Sequence, residues 1–391
     1  MNAPGALRGA MGVLAEMAAA SALPIPDPDP IPLPGPIWLF KGLLLVTFLL
    51  HLIPMNLVLG GGVLVAVSHI LGRRAGAEAA HHMHLAALAA RGLPVTVAFT
   101  ITLGIAPLLF VQVLYGQLFF TSSVLMAWPW LAVVALLLIG YYATYWHAMR
   151  FRELGPRALW VALGISATFL AIAFLFVNNV SLLQNPAAWR NLYLKNPQGT
   201  TLYVLHDENV VPRFLHFVLA AFAFAGLAVA AVGVAHRRRD PAFAAWAGRY
   251  GARWFAGATA GQAVIGPWFL LAQPARVRGA FLGESGPDAA LLGVAILLAV
   301  VALAIIGTGE GLTVARFAAG AGALGGTVAL MVVVRHRVRT LWLEPHFSVD
   351  RLPASPQWGA ILLFAVLLLA GLALVAWMLA QFFGSRANTN R

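Results

Sequence analysis

The chain has 391 residues, of which 61% are hydrophobic and 10% charged, and its mean hydropathy is +0.84. These values exclude an ordinary soluble globular protein and predict a polytopic membrane protein. The formal net charge of +12 comes from arginines that fall between apolar stretches without forming a continuous stripe, so it indicates membrane topology rather than nucleic-acid binding.

Proline alternates with other residues through the segment 23–36, LPIPDPDPIPLPGP, which therefore cannot be helical. We predict a stiff polyproline strap that leads into the first membrane helix. Upstream, residues 7–22 faintly resemble a signal peptide, but Glu16 interrupts the apolar run. We therefore predict an amphipathic segment on the membrane surface, with a cleaved signal as the alternative.

A helix of about 20 residues crosses a bilayer, and a window of that length finds nine apolar segments in the rest of the chain. They lie at 38–70, 93–118, 126–147, 158–183, 213–235, 254–272, 289–309, 314–334 and 359–383. The predicted fold class is all-α, a polytopic membrane helix bundle of about nine transmembrane helices.

Arginines are concentrated in the connections that follow the first, third and fifth predicted helices. They are Arg73, Arg74, Arg91, Arg150, Arg152, Arg157, Arg237, Arg238, Arg239, Arg249 and Arg253. The opposite side of the same half carries only Arg8, Lys41, Arg190, Lys195 and Arg213. Because Lys and Arg collect on the cytoplasmic side, we predict the N-terminus outside and the C-terminus in the cytoplasm.

Two histidines fall inside predicted membrane helices, His51 in the first and His216 in the first turn of the fifth. Ionisable groups are rare at membrane depth and usually mark function. The chain has no cysteine, which excludes disulfides, cysteine-ligated iron–sulfur clusters and covalent c-type haem on it. Two imidazoles among Leu, Val and Phe then point first to haem held by histidine, the alternative being core histidines bonded to neighbouring helices.

A third histidine, His336, lies near the outer end of the eighth helix, at about the same predicted depth as His216. Those two would bracket one haem iron, and Met331, more than a turn deeper, offers a His–Met alternative. Arg335, Arg337 and Arg339 fall on the predicted outer side, against the general arginine pattern. They indicate an anionic partner such as haem propionates, unless an extra or missing helix reverses the second half.

The other histidines have simpler interpretations. His69, His147 and His236 are predicted at cytoplasmic helix ends, where a cation suits the helix dipole. The sequence HHMH at 81–84 is predicted to be a solvated cluster in a cytoplasmic loop, because no carboxylate or cysteine completes a metal site. The sparse polar residues of the spans are expected to bond neighbouring helices, except for a solvated Glu310. They are Gln112, Asn178, Asn179, Gln262 and Glu310.

Several motifs resemble subunit I of the cytochrome bd oxidases. Lys41, His51 and Gly60 form K-x9-H-x8-G, which is similar to that family's first helix with its haem-ligating histidine. VNNVSLLQNP at 177–186 resembles the end of the fourth helix. VVPRFLHFVLAAFAFAGLAV at 210–229 resembles the fifth helix, so the resemblance implies that His216 ligates a low-spin haem b, and 240–261 resembles the basic loop and sixth helix.

The chain also departs from that family. The segment 126–147 has no acidic residue, whereas the family's third helix carries glutamates associated with proton delivery. The family's long quinol-binding loop is reduced to 273–288, and its carboxylate haem ligand and helix-seven methionine find no match. These departures predict a divergent relative rather than an oxidase.

The resemblance implies a haem b subunit, with one to three haems, in the bacterial cytoplasmic (inner) membrane. We expect it to carry electrons between the quinone pool and a periplasmic cytochrome c or another redox subunit, as part of a quinol:cytochrome c type oxidoreductase. His51 and His216 would be axial ligands, His336 or Met331 would complete the second site, and the outer cations would neutralise propionates. These cations are Lys41, Arg335, Arg337 and Arg339.

The predicted organisation has three parts, an N-terminal segment at 1–37, a haem-binding part at 38–272 and a C-terminal part at 273–391. Two other functions remain open. One is a terminal quinol oxidase that reduces oxygen, using Gln112 and a water-filled path for protons. The other is a haem-free membrane scaffold or transporter.

Overall fold

A computed structural model describes residues 25–26, 31–74 and 76–388. Within them, nine long helices follow one another and no strand forms. The helices are α1 Ile37–Gly72, α2 Ala79–Met126, α3 Trp128–Leu154, α4 Ala158–Gln184, α5 Val210–His236, α6 Pro241–Leu271, α7 Gly286–Ile306, α8 Val314–Leu343 and α9 Trp358–Asn388. The predicted all-α class is confirmed.

Seven segments of the described chain are long and apolar enough to cross a membrane. One of them, Trp128–Gln184, contains both α3 and α4. α6 is not among the seven, and its first half carries Arg249 and Arg253 on exposed positions. A polytopic membrane bundle is therefore confirmed, while the crossing by α6, the count of nine and the orientation stay predictions.

Several helices extend beyond the apolar segments that predicted them. α2 begins at Ala79 rather than near 93, so 81–84 lie in its first turns and not in a loop. α6 begins at Pro241, where the Asp240 side chain accepts from the Phe243 backbone N–H at 3.0 Å. α8 ends at Leu343 rather than near 334. Hydropathy indicates only the part of a helix that lies in the lipid, whereas capping residues determine where the helix begins and ends.

Glycines let α1, α5 and α6 approach one another with backbones in contact. A Cβ added at Gly60 of α1 would lie 2.0 Å from the carbonyl oxygen of Ala221 in α5. A Cβ at Gly226 of α5 would lie 2.5 Å from the Phe255 nitrogen of α6. Small residues are the usual means of close helix packing in membranes. This contact fixes the helices that carry His51 and His216 relative to each other.

The described end of the proline-rich strap, 31–36, is bridged to the segment before α9. Leu33 donates to the Pro353 carbonyl and accepts from Ser355, both at 2.8 Å, and Gln357 donates to Pro34 at 2.8 Å. The strap therefore lies against the segment just before α9. The predicted amphipathic segment at 7–22 and the rest of the strap, 23–24 and 27–30, lie outside the described residues.

Candidate functional site

His51 is held by a hydrogen bond to the neighbouring helix. Its Nδ1 lies 3.0 Å from the backbone carbonyl oxygen of Thr100 in α2. A carbonyl only accepts, so Nδ1 donates and Nε2 keeps a lone pair. Gly104 makes the space for the ring, because a Cβ there would lie 2.8 Å from His51 Cε1. Orientation through one ring nitrogen, with the other free, is the usual state of a metal-ligating histidine.

His216 packs against α6. Its ring centroid lies 5.7 Å from that of Phe269, and its backbone carbonyl accepts from Gln262 Nε2 at 2.8 Å. The ring Nδ1 is buried and has no hydrogen-bond partner among the described residues. The bond to α6 therefore satisfies the backbone carbonyl and leaves the ring Nδ1 without a partner. Buried ring nitrogens without a partner among the described residues also occur in His69, His82 and His147.

Three arginines converge on aromatic rings at the same end of the bundle as Lys41. Arg213, one turn before His216, is 4% exposed, donates to Ser181 Oγ at 3.1 Å and lies 5.5 Å from the Phe269 ring centroid. Arg339, also 4% exposed, lies 4.1 Å from the Tyr115 ring centroid. Arg335 lies 4.2 Å from that of Phe48. We call Arg213, Arg335 and Arg339 the arginine cluster.

The arginine cluster lacks an ion-paired anion within the part of the chain that the structure describes. Arg335 is close enough to Arg213 and to Arg339 for its charge to be repelled by each of theirs. Asp207 attracts Arg213 only at longer range, and its carboxylate accepts from the Asn209 backbone at 2.8 Å. Uncompensated charges at buried positions cost several kcal/mol each, so the cluster is suited to an anionic ligand.

One nearby hydroxyl does not supply that anion. Tyr203 lies in the connection between α4 and α5, outside the spans, and accepts from Asn185 Nδ2 at 2.7 Å. Burial raises the pKa of Tyr203, so its hydroxyl stays neutral at physiological pH.

Phe48 links the arginine cluster to His51. Its ring centroid lies 6.5 Å from that of His51, and Arg335 lies over the same ring. The structure therefore brings His51, His216 and the cluster into one region between α1, α2, α5 and α8. Sequence reasoning missed Arg213 and Gly104 in this region. The available signal for Arg213 was an arginine inside a membrane helix, one turn from a histidine.

His336 already has a partner on its own helix. Arg339 Nη2 lies 3.0 Å from His336 Nδ1, and a guanidinium can only donate. Nδ1 is then the acceptor and the proton of the neutral ring sits on Nε2, so the ring has no free lone pair for a metal. Met331, five residues earlier on α8, is half-buried.

The remaining predicted cations are paired with carboxylates. Lys41 Nζ lies 2.6 Å from Asp350 Oδ1. Arg337 binds Asp288 through two hydrogen bonds of 2.8 and 2.9 Å. Among the four predicted anion-binding cations, the structure thus leaves Arg335 and Arg339 without a carboxylate.

The histidines at the other end of the bundle are more buried than predicted. His69 is 2% and His147 0% exposed, and their ring centroids are 5.6 Å apart. His69 lies in the last turn of α1, as predicted, but neither ring is placed as a cation at a helix end, because both rings face inward between packed helices. His82 is 6% exposed and packs edge-on against Trp246 and Tyr250, so the solvated HHMH cluster is wrong for this residue.

The predicted hydrogen bonds of the polar spanning residues to neighbouring helices are confirmed for Asn179 and Gln262, whereas Asn178 bonds the connection between α4 and α5. Asn179 Nδ2 donates to Ser123 Oγ of α2 at 3.1 Å. Asn178 Oδ1 accepts from Val204 at 2.8 Å, and Gln262 bonds α5 as described above. Glu310 is exposed in the turn between α7 and α8, as predicted. No group of three or more His, Cys, Asp or Glu suited to a metal occurs in the described residues.

The comparisons with known proteins found a match among solved structures. No protein-family model matches the chain, and no curated protein does. Among solved structures, a chain of "The structure of bd oxidase from Geobacillus thermodenitrificans" is similar, with a TM-score of 0.61 and 14% sequence identity over 88% of this chain and 97% of that chain. The likeness confirms a bd-oxidase-like fold, and at this identity it shows the fold alone.

Proposed function

We propose that this protein is a haem b-binding electron-transfer subunit of a membrane respiratory complex. The observation that carries the proposal is the arginine cluster, three cations without a carboxylate partner among the described residues, beside His51 and His216 at one end of an apolar bundle. Each haem has two propionates, and guanidinium groups bind carboxylates through paired hydrogen bonds. A membrane interior tolerates such cations where they face an anionic ligand.

The histidines fit axial ligation on their own geometry. His51 has Nε2 free and its ring oriented by Thr100. The ring of His216 has a buried nitrogen without a partner among the described residues, and a haem iron or a hydrogen-bond acceptor would satisfy it. For the second ligand of the His216 site we propose Met331 rather than His336, because Arg339 occupies the lone pair of His336.

A bound haem would supply reversible one-electron chemistry. The residues of this chain bind, orient and shield it. The arginine cluster would neutralise its carboxylates, while Phe48, Phe269 and Tyr115 keep water from those cations. Lys41 would bind a propionate only if the propionate displaced Asp350, and Arg337 only if it displaced Asp288. Electron transfer itself needs no side chain as acid or base.

The proposed partners are membrane lipid, the quinone pool and a redox subunit such as a periplasmic cytochrome c. Oxygen reduction is the second candidate function, and the fold likeness to a bd oxidase favours it. Proton delivery argues against it. The carboxylate of α3, Glu153, lies exposed at the end of that helix and pairs with Arg150 at 3.0 Å, so the rest of α3 has no carboxylate for a proton relay.

The test is an optical spectrum of the purified chain before and after dithionite, together with a pyridine haemochrome assay. We expect reduced-minus-oxidised bands of haem b and at least one haem per chain. A colourless, well-folded preparation from haem-replete cells would overturn the proposal in favour of a haem-free scaffold.

A further inference from the structure

A groove lies between the end of α5 and the start of α8, at the end of the bundle opposite the arginine cluster. It has a volume of about 380 Å³. Its walls are apolar, with Ala231, Val234 and Ala235 on α5 and Val314 and Phe317 on α8. Two alanines on one wall leave the space that larger side chains would fill. Arg237 and Arg238 complete the lining at one end.

These two arginines are exposed and form no ion pair with a carboxylate in the described chain. The nearest acidic residue in the sequence, Asp240, accepts from Phe243 and caps α6. Arg316 of α8, by contrast, is used internally, because it donates to the carbonyls of Ile305 and Glu310 at 2.9 and 2.7 Å. The groove therefore has two adjacent cations with free donors.

The shape of the groove selects a ligand with an anionic end and an apolar tail. Ala231 lies five residues before the end of α5 at His236, a rise of about 8 Å, and Arg237 and Arg238 follow in the turn beyond it. This length matches the upper part of an acyl chain below its phosphate. The helix is apolar along that length and basic at its end, and basic pockets between membrane helices bind anionic lipid head groups. A soluble anion would leave the apolar walls unused.

We propose that this groove binds an anionic phospholipid, with its phosphate on Arg237 and Arg238 and one acyl chain between α5 and α8. The arginines also suit the negative end of the α5 dipole, and the apolar groove beside them is what distinguishes this place from other arginine-rich helix ends. The site does not depend on the proposed haem function.

The test measures bound phosphatidylglycerol by native mass spectrometry of the full chain, purified in a neutral detergent, with phosphatidylcholine as competitor. The double variant Arg237→Gln/Arg238→Gln should lower the bound phosphatidylglycerol by about 25-fold, because each basic residue near an anionic lipid contributes roughly a fivefold preference. The matched control is Arg73→Gln/Arg74→Gln at the end of α1. It removes the same charge from the same predicted side and should change binding by less than about twofold.

A second variant tests the acyl chain. Ala235→Phe fills the groove from an exposed position and keeps both arginines, so it should also lower phosphatidylglycerol binding several-fold, with an unchanged melting temperature in phosphatidylcholine. If the enlarged ring destabilises the chain, Ala231→Leu serves in its place. Equal losses of bound phosphatidylglycerol in the two arginine double variants would show that the lipid is attracted by diffuse charge, and would overturn the proposed site. Unchanged phosphatidylglycerol binding by the variant that fills the groove would show that the acyl chain does not lie there.

Discussion

Two side chains with the same chemistry, His51 and His336, differ in what their ring nitrogens can do. The Thr100 carbonyl accepts from Nδ1 of His51 and leaves Nε2 with a lone pair, whereas the Arg339 guanidinium donates to Nδ1 of His336 and uses its lone pair. A carbonyl and a guanidinium thus select opposite tautomers. One neighbour in each case therefore decides the role of the ring. It leaves His51 able to bind iron, as proposed, and makes His336 a residue that orients Arg339.

The space around His51 gives a prediction for Gly104. The substitution Gly104→Ala places a methyl group 2.8 Å from His51 Cε1 and should displace the imidazole. We expect a loss of about 1–3 kcal/mol in stability and a shifted haem spectrum, measured by thermal unfolding and absorbance. Gly92→Ala on the same helix is the control, because nothing lies within 4 Å of its added Cβ. Equal effects of the two changes would contradict the packing argument.

The ligands of the His216 site give a second prediction. His216→Ala should remove one low-spin haem signal in electron paramagnetic resonance. Met331→Ala should convert that haem to high spin, whereas His336→Ala should keep it low spin because His336 Nδ1 is engaged by Arg339. A high-spin signal from His336→Ala alone would reverse the choice of ligand. A full low-spin spectrum in His216→Ala would return His216 to a structural role.

At the scale of helices, α8 carries two kinds of arginine within one turn and a half. Arg337 faces α7 and binds Asp288, whose side chain is 5% exposed, while Arg335 and Arg339 face α1 and α2. Successive odd positions on a helix point about 200° apart, so one short run contacts both neighbours. The helix is thereby tied to α7 by an ion pair, while Arg335 and Arg339 on its other face have no carboxylate partner among the described residues.

This difference between the two faces of α8 predicts that two matched substitutions change the melting temperature of the haem-free chain in opposite directions. Arg213→Met removes a buried charge whose desolvation outweighs the long-range attraction of Asp207, so it should raise the melting temperature, while it should lower haem retention. Arg337→Met leaves the buried Asp288 carboxylate without its cation and should lower the free energy of unfolding by about 2 kcal/mol or more. This loss is smaller than for a fully buried ion pair, because the Arg337 side chain is 40% exposed. Thermal unfolding with and without haem measures both. Destabilisation of the haem-free chain by Arg213→Met would show that the cluster has another anion.

At the scale of the molecule, the number and order of helices followed from sequence because long apolar runs have few alternatives to membrane helices. The burial of His69 and His147 did not, since their position near helix ends says nothing about which face packs inward. The three-dimensional closeness of Arg213 to Arg335 also could not be predicted, because they are on helices far apart in the chain. His51 and His216 could be singled out because each interrupts an apolar run.

The arginine asymmetry predicts the orientation of the whole bundle. Reporter fusions at Arg74, Arg152 and Arg238 should report the cytoplasm, and a fusion near Asn196 should report the outside. The arginine cluster would then lie on the outer side, where a periplasmic partner has access, and the lipid groove on the cytoplasmic side. The reverse pattern would put both on the wrong sides.

The last prediction concerns the electron acceptor. The described part of α3 carries its carboxylate only at the far end, paired with Arg150, and 273–288 forms a short helix and one turn rather than a long quinol-binding loop. Oxygen reduction consumes protons, and a span without carboxylates gives them no evident route. We therefore expect little cyanide-resistant, quinol-dependent oxygen uptake in membranes that contain this protein and its natural partners. Strong uptake that His51→Ala abolishes would instead establish an oxidase that delivers protons by another route, through Gln112 and ordered water.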